Sequence, residues 1–214
     1  MQRSMVWLFA LVAALAAATT LRAEALSPEM VVQRIADDLA SAIGSRREEL
    51  KNDHDRLVRE IDAILLPHFD IDYASLLVLG RHARAASPEQ RSRFARAFYS
   101  SIANRYAEGL LNYTRGNVRV QPFKGELNDK RSIVRTEVVL ADGKTVSVDY
   151  AFRRTADDQW KAYDVIIEGI SYITNYRNQV DAEIQGSSLD ALIARLETQG
   201  ASALESMEKP ASSP

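Results

Sequence analysis

Three carboxylates near the middle of the chain could act together as a general acid and a general base. Asp149, Asp164 and Glu168 fall in or beside two predicted neighbouring strands, so their side chains could converge in one cavity. That arrangement predicts a small hydrolase or isomerase with Asp164 or Glu168 as the base. The alternation of apolar and polar residues along both strands places the carboxylates on the polar face, which favours a solvated or structural role.

Metal and nucleophile chemistry have little support in the sequence. The three histidines, His54, His68 and His82, are 14 residues apart each time, which is not a metal-binding spacing. The chain contains no cysteine, and no serine lies in a G-x-S-x-G motif. We therefore predict no metal site and no catalytic residue.

Several segments of the chain have apolar residues at helical spacing, as in the series Val31, Ile35, Leu39 and Ile43. A serine or an aspartate precedes most of these segments and can cap a helix N-terminus. The predicted helices are 28–44 capped by Ser27, 47–66, a short helix capped by Asp72, a long helix opened by the Ser87–Gln90 capping box, and a last helix capped by Ser187. The tail over residues 201–214 is predicted to be disordered.

Residues 117–170 change from helical spacing to alternation, which predicts four antiparallel strands. Asp142 and Gly143 form a strong hairpin turn between the second strand and the third. One face of these strands is apolar and the other carries charged residues, as in a sheet with one wet face. Helices that precede and follow the strands, rather than alternate with them, indicate an α+β fold. We predict one domain over residues 24–200: a curved four-stranded meander, covered by N- and C-terminal helices, with a cone-like apolar pocket.

The N-terminus has the pattern of a secretory signal. Arg3 precedes an apolar run over residues 5–18, which leads into small residues and Ala23. This run is shorter than the ~20 residues that a membrane-spanning helix needs. We predict that residues 1–23 are removed, by cleavage after Ala23 or two residues later at Ala25, and that the remaining chain is exported.

The charge balance argues against a nucleic-acid partner. The chain has 27 basic and 29 acidic residues, and the predicted signal contains Arg3 and Arg22 but no acidic residue. The exported chain is therefore acidic, whereas nucleic-acid binding usually requires a basic surface. The segment 81–96 is a local exception, because its arginines could dock on an anionic membrane or an acidic partner.

The stretch WKAYDVIIEGISYITNYRNQ begins as a strand and ends as a helix. Polar residues that include Ser171 and Arg177 follow Gly169 closely, so the stretch could be an active site or a corner of the fold. It lacks a glycine loop of the kind that binds an oxyanion. We predict a corner in which Gly169 is the hinge, Ser171 caps the helix, and Tyr172 and Tyr176 cover a pocket.

The same stretch, with FDIDYASLLVLGRHARAASPEQRSRF and YSSIANRYAEGLLNY, resembles the MlaC or toluene-tolerance auxiliary family. The resemblance covers residues 27–197 and extends to the order of the elements. It implies a soluble periplasmic carrier that holds phospholipid acyl chains and shuttles them between an outer-membrane lipoprotein complex and an inner-membrane ABC transporter complex. It also implies a bound lipid in place of a cofactor, no enzymatic activity and only transient contact with membranes. Hopanoid-type lipids are an alternative cargo.

Strand parity and helical stripes select the residues that should point into such a pocket. The predicted lipid-binding residues are Phe98, Ile102, Tyr106, Leu110, Val134, Val138, Val148, Tyr150, Phe152, Tyr163, Val165, Ile167, Tyr172 and Tyr176. An adaptor protein whose apolar face is filled by these same side chains is the alternative. The predicted surface contacts for partners are Arg81, Arg84, Arg93 and Arg177.

Overall fold

The computed structural model describes residues 26–111, 116–122, 129–140 and 142–208. The predicted signal over residues 1–23 lies outside these ranges, and so do residues 209–214. The helices before the sheet are α1 (Pro28–Gly44), α2 (Arg47–Lys51), α3 (His54–Leu65), α4 (Ile71–Leu79) and α5 (Pro88–Leu110). The strands are β1 (Val118–Val120), β2 (Arg131–Val139), β3 (Thr145–Arg154), β4 (Trp160–Ile167) and β5 (Ile170–Ser171). The helices after the sheet are α6 (Tyr172–Gly186), α7 (Leu189–Gln199) and α8 (Ala201–Glu208).

Two helix starts form as the sequence predicts. The Ser27 hydroxyl accepts a hydrogen bond from the Met30 amide at 3.3 Å and opens α1. The Ser87 hydroxyl accepts from the Gln90 amide at 3.1 Å, and the Gln90 side chain accepts from the Ser87 amide at 2.9 Å. This reciprocal pair satisfies amides that the first turn of α5 would otherwise leave without partners.

Two other predicted caps are wrong by one or two residues. Asp70, not Asp72, caps α4, because its carboxylate accepts from the Tyr73 amide at 3.0 Å. Ser188, not Ser187, caps α7, and its hydroxyl accepts from the Ala191 amide at 3.1 Å. The Ser187 hydroxyl instead donates to the Glu183 carbonyl at the end of α6. When neighbouring residues can both cap a helix, the entry path of the chain selects one of them.

The predicted single helix over residues 47–66 is divided into α2 and α3. Asp53 interrupts it, because its carboxylate accepts from the Arg56 amide at 3.0 Å and so starts a new helix. The Asn52 side chain also leaves the helical pattern and donates to the Glu48 carbonyl. Short polar side chains of this type compete with the backbone for hydrogen bonds. The break allows Leu50 in α2 and Leu57 in α3 to be buried in one cluster.

The sheet is an antiparallel meander in the order β1-β2-β3-β4-β5, so the α+β class is confirmed with one strand more than predicted. The extra strand arises at Gly169, which we expected to lead directly from strand to helix. Glu168 and Gly169 have φ values of +49° and +79°. Two consecutive positive φ values allow a tight hairpin, so the chain folds back and Ile170 pairs with Ile167 before α6 begins.

The sheet bends at an irregularity between β3 and β4. Ala151 pairs with Asp164, whereas Phe152 pairs with Ala162, so Tyr163 is the extra residue on β4. A bulge of this kind bends its strand and increases the local twist. The bend helps to produce a concave face, which α1 and α5 cover.

The last described helix, α8, corrects the prediction of a disordered tail for residues 201–208. Ala203 and Leu204 are fully buried and belong to the same apolar cluster as α4, α5, α6 and α7. Gly200 has a φ of +51°, a conformation that favours glycine and redirects the chain after α7. This turn brings the apolar side of an otherwise polar segment onto the core.

Candidate functional site

An apolar cavity of about 430 Å³ lies between the concave face of the sheet and helices α1 and α5. Its walls include Val32, Ile35, Ala36 and Leu39 from α1, Ile102, Tyr106, Gly109 and Leu110 from α5, and Val118, Val138, Val148, Tyr150, Phe152, Ala162, Val165 and Ile167 from the sheet. None of the described side chains that line it is charged. A dry space with such walls suits a hydrocarbon better than a polar substrate.

A second apolar cavity, of about 210 Å³, lies between α3, α4, α5, α6 and β4. Its walls include Ile61, Val78, Phe98, Tyr99, Tyr163, Ile173 and Tyr176. It adjoins the larger cavity, because both are lined by Leu65, Phe69, Ile102, Tyr106, Leu110, Val165 and Tyr172. The two spaces are therefore neighbouring compartments of one apolar site.

Tyrosine side chains form part of the partition between the two compartments. The ring centroids of Tyr106 and Tyr172 are 5.8 Å apart, and those of Tyr172 and Tyr176 are 6.0 Å apart. The hydroxyls of Tyr106 and Tyr176 lie 3.4 Å from each other. Tyr176 also packs edge-to-face on Phe98, at 5.2 Å. Tyr106 lines both compartments and is nevertheless 37% exposed, so the site meets water at this tyrosine.

All but one of the predicted lipid-binding residues line these compartments. The exception is Val134, which is 2% exposed and packs with Val31 and Val32 of α1. Val134 is on the same strand face as Val138, but the N-terminal end of α1 covers it and leaves no space there. The contact of the other residues with a lipid remains a prediction.

Sequence reasoning missed the walls that the N-terminal helices supply. Leu39 of α1, Leu65 of α3 and Val78 of α4 all line one compartment or both, and so does Phe69, which lies between α3 and α4. The helical spacing identifies these residues as apolar, but it cannot distinguish contact with a void from contact with another helix. Tyr99 was missed for the same reason.

Tyr99 connects two walls of the smaller compartment through a hydrogen bond. Its hydroxyl donates to the Asp62 carboxylate at 2.7 Å, which ties α5 to α3. Burial raises the pKa of Tyr99 well above its usual range, and the hydrogen bond to Asp62 raises this pKa further. The side chain is therefore neutral at any physiological pH, and it braces the wall rather than reacting.

The carboxylates that could have formed an acid–base pair do not converge in the structure. Asp164 lines the smaller compartment, but its two oxygens accept from the Ser171 hydroxyl at 2.6 Å and from the Ile173 amide at 3.1 Å. Glu168 accepts from the Ser147 amide on the exposed turn after β4. Asp149 lies 3.9 Å from the Arg135 guanidinium on the opposite face of the sheet. The three groups do not share one described cavity.

Ser171 acts as the predicted cap, so the polar stretch after Gly169 is a corner of the fold. Its hydroxyl accepts from the Thr174 amide at 3.1 Å while it donates to Asp164. Ser171 and Asp164 together thus satisfy two free amides in the first turn of α6. This arrangement fixes the start of the helix that carries Tyr172 and Tyr176 into the site.

Three of the four predicted partner-contact arginines have partners within the chain. Arg81 forms two hydrogen bonds with Asp181, at 2.7 and 2.9 Å. Arg93 binds Glu197 through two hydrogen bonds, at 3.0 and 2.7 Å. Arg177 donates to the Leu77 carbonyl at 2.7 Å. The exposed Arg84 has no hydrogen bond or ion pair to any residue that the structure describes.

Other binding chemistries find no support in the described residues. No group of three histidine, cysteine, aspartate or glutamate side chains in these ranges could hold a metal ion. Within the same part of the chain, none of the helices is long and apolar enough to cross a bilayer. The two compartments have almost entirely apolar walls, which suit a hydrocarbon-like ligand.

Comparison with known proteins identifies the family of this chain. The family model described as MlaC protein matches residues 33–198. The intermembrane phospholipid transport system binding protein MlaC of Haemophilus influenzae is 30% identical over 174 residues, which cover 80% of this chain and 81% of the relative. The toluene tolerance protein ttg2D of Pseudomonas putida is 30% identical over 182 residues, which cover 84% of each chain.

A solved structure has the same fold. It is a phospholipid-binding protein from Ralstonia solanacearum in complex with a phospholipid, and the match has a TM-score of 0.75. The match covers 84% of this chain and 99% of the Ralstonia chain at 24% identity. The family model spans most of the chain and the relatives are similar over most of their length, so the chain belongs to the MlaC family.

Proposed function

We propose that this chain carries a phospholipid through the periplasm, with the acyl chains in its two apolar compartments. The carriage runs between an outer-membrane lipoprotein complex and an inner-membrane ABC transporter complex. The observation that supports this proposal best is the pair of adjoining cavities, of about 430 and 210 Å³, with almost entirely apolar walls. The Haemophilus relative is named for phospholipid transport, and the Ralstonia structure contains a phospholipid. The predicted export signal supports the periplasmic location.

The energetics of hydrocarbon explain why a carrier is needed. Two acyl chains of about 14 methylenes each, at about 0.8 kcal/mol for each buried CH₂, have a hydration penalty on the order of 20 kcal/mol. Free diffusion of the lipid through water is therefore negligible. Transfer from a bilayer to an apolar cavity exchanges one hydrocarbon environment for another, so its free energy is close to zero. The cavity alone cannot set a direction, which must come from the partner complexes.

The partition favours a phospholipid over the alternative cargo. Tyr106 and Tyr172 are part of the partition between the compartments, and two flexible chains can lie on either side of it. A rigid fused-ring lipid of the hopanoid type would occupy only one compartment unless it displaced these rings. Carriage requires no bond to form or break, and the engaged oxygens of Asp164 fit a structural role better than that of a base.

The proposal can be tested by filling the larger compartment from the sheet. Val148 lies on its floor, so Val148→Phe places a ring in the cavity in a residue type that strands favour. The matched control is Ile133→Phe on the same sheet, because Ile133 is 41% exposed and lines neither compartment. Both proteins and the unaltered chain are purified from the periplasm, extracted with organic solvent and analysed by mass spectrometry.

We expect phospholipid in the extracts of the unaltered chain and of Ile133→Phe, and a large loss or shorter acyl chains in Val148→Phe. Thermal unfolding of the lipid-free proteins, after organic extraction and refolding, distinguishes a void from a solid core. A ring that enters a void leaves the protein as stable or more stable, whereas overpacking a filled core costs about 1–3 kcal/mol. An unaltered chain that co-purifies with no lipid, together with a destabilised Val148→Phe variant, would refute the carrier.

A further inference from the structure

The apolar concave face of the sheet continues beyond the cavity into water. Leu140 follows Val138 at the spacing of one strand face, and Ile170 pairs directly with the cavity residue Ile167. Side chains alternate along a strand, and paired residues share a face, so both point to the concave side. Leu140 is 43% exposed and Ile170 is 63% exposed. The half-buried Val146, which pairs with Val138, completes this apolar ledge of Leu140, Val146 and Ile170.

The apolar ledge lies at the open end of the site. Tyr172, two residues after Ile170, lines both compartments and packs on the partly exposed Tyr106. Gly109 lines the larger compartment and is itself exposed. The other end is closed, because Val31, Val32, Val134 and Phe152 form a buried cluster there. The route by which a hydrocarbon chain can enter the compartments therefore passes Tyr106 and the apolar ledge.

Polar groups border the apolar ledge. Lys144 forms an ion pair with Asp142 at 2.9 Å at the tip of the β2–β3 hairpin. Glu168 accepts from the Ser147 amide on the turn that precedes Ile170. An exposed apolar surface with a polar rim is typical of an interaction site. Its continuity with the cavity identifies the occupant, because the ledge extends the same hydrocarbon-compatible wall.

We propose that the apolar ledge is the entry and exit surface for lipid at a bilayer. An acyl chain that leaves the bilayer lies on Leu140, Val146 and Ile170 before it passes Tyr106 and Tyr172 into the compartments. This inference rests on the proposed function and adds the route to it. The ledge shortens the length of hydrocarbon that meets water during transfer, so it lowers the barrier without changing the final bound state.

The experiment measures both the rate of lipid uptake and the amount bound at equilibrium. Lipid-free protein is mixed with vesicles of phosphatidylethanolamine and phosphatidylglycerol that contain a headgroup-labelled, self-quenched phosphatidylethanolamine. The test variant is Leu140→Ser/Ile170→Ser. The matched control is Leu76→Ser/Ile133→Ser, which removes the same two residue types at positions 39% and 41% exposed, away from both compartments. Thermal unfolding of both variants checks that the fold is intact.

We expect the test variant to take up lipid about tenfold more slowly, because it loses apolar contact from two side chains. Release to empty vesicles should slow by the same factor, so the amount bound at equilibrium stays that of the unaltered chain. The control should match the unaltered chain in every respect. Equal uptake rates for the test variant and the unaltered chain would refute the entry role of the apolar ledge but not the carrier function. An unaltered chain that takes up no lipid would overturn both proposals.

Discussion

The residues with the most reactive side chains in this site hold helices in place. Asp164 accepts the Ser171 hydroxyl and the Ile173 amide, and Tyr99 donates to Asp62. The Asp164–Ile173 bond joins β4 to α6 and the Tyr99 bond joins α5 to α3, and all four elements line the smaller compartment. Such bonds stabilise the fold because a polar group without its partner at this site would be neither hydrated nor hydrogen-bonded.

Removal of the Asp164 carboxylate tests whether the residue is a brace or a base. We expect Asp164→Ala to lower the free energy of unfolding by about 1–2 kcal/mol, as for a lost helix cap. Ser171→Ala should cost a similar amount, and the double variant should cost less than the sum because the two side chains share a hydrogen bond. Urea denaturation measures all three variants. Strictly additive losses would contradict the shared role.

Arg177 joins α6 to α4 through side-chain contacts and is not a free surface charge. Its Nε donates to the Leu77 carbonyl at 2.7 Å, and its stem lies on Gly80, where an added Cβ would be 3.3 Å from Arg177 Cδ. We expect Arg177→Ala to lower the free energy of unfolding by about 1–2 kcal/mol through the lost bond and the lost packing. The exposed Arg84 provides the control, and Arg84→Ala should change stability by less than about 0.5 kcal/mol. Equal effects of the two substitutions, measured by urea denaturation, would show that Arg177 does not stabilise the contact between α4 and α6.

At the scale of elements, the turn after α4 is held on α6 by a polar cluster around Asp181. The carboxylate accepts a hydrogen bond from His82 Nε2 at 2.7 Å and two from the Arg81 guanidinium at 2.7 and 2.9 Å. Gln185 donates to the same group at 2.7 Å. Both helices line the smaller compartment, so this cluster helps to fix the distance between two of its walls.

The cluster predicts a dependence of stability on acid. The hydrogen bond from His82 and the Arg81 guanidinium hold the pKa of Asp181 below its ordinary value of 3.8. A carboxyl whose pKa is lower in the folded state stabilises that state above the unfolded pKa, and the contribution is lost as the pH falls through the folded pKa. We expect urea midpoints to fall below about pH 4, and to fall less in Asp181→Asn. Identical acid profiles for the two proteins would show that the Asp181 cluster does not contribute to stability.

At the scale of the whole molecule, the fold resembles a shell around two spaces that its own side chains do not fill. Three buried clusters surround the compartments: one on α4 to α8, one on α1 to α3 with α5, and one between α1 and the sheet. A ligand that binds only the folded state adds its binding free energy to stability. The bound lipid should therefore act as a part of the core.

Removal of the lipid should lower the stability of the whole domain. At a lipid concentration of about 100 times its dissociation constant, binding contributes about 2.7 kcal/mol. For a domain of this size that corresponds to a fall of roughly 5–10 °C in the unfolding midpoint. Calorimetry before and after organic extraction and refolding measures the change. Val148→Phe, whose ring occupies the larger compartment, should show a smaller fall in the unfolding midpoint. An equal fall in both proteins would contradict the view that bound lipid acts as a part of the core.

Local rules in the sequence determine much of this protein. Caps such as Ser27, Ser87 and Ser171 lie within a few residues of the amides they bind, so short-range geometry is enough to predict them. The alternation in β2 and β3 likewise determines which strand face is apolar. The α+β order, the meander and the apolar face of the sheet follow from these rules.

Only the tertiary structure decides what lies opposite each apolar face. Val134 and Val148 have the same pattern in adjacent strands, yet α1 covers Val134 whereas Val148 borders the larger compartment. The partners of Arg81 and Arg177 are about 100 residues away in the chain, and the burial of Leu204 depends on contacts with α5 and α7. Periodicity states that a side chain avoids water, but the distant segment that packs against it determines whether it meets another side chain or an empty space.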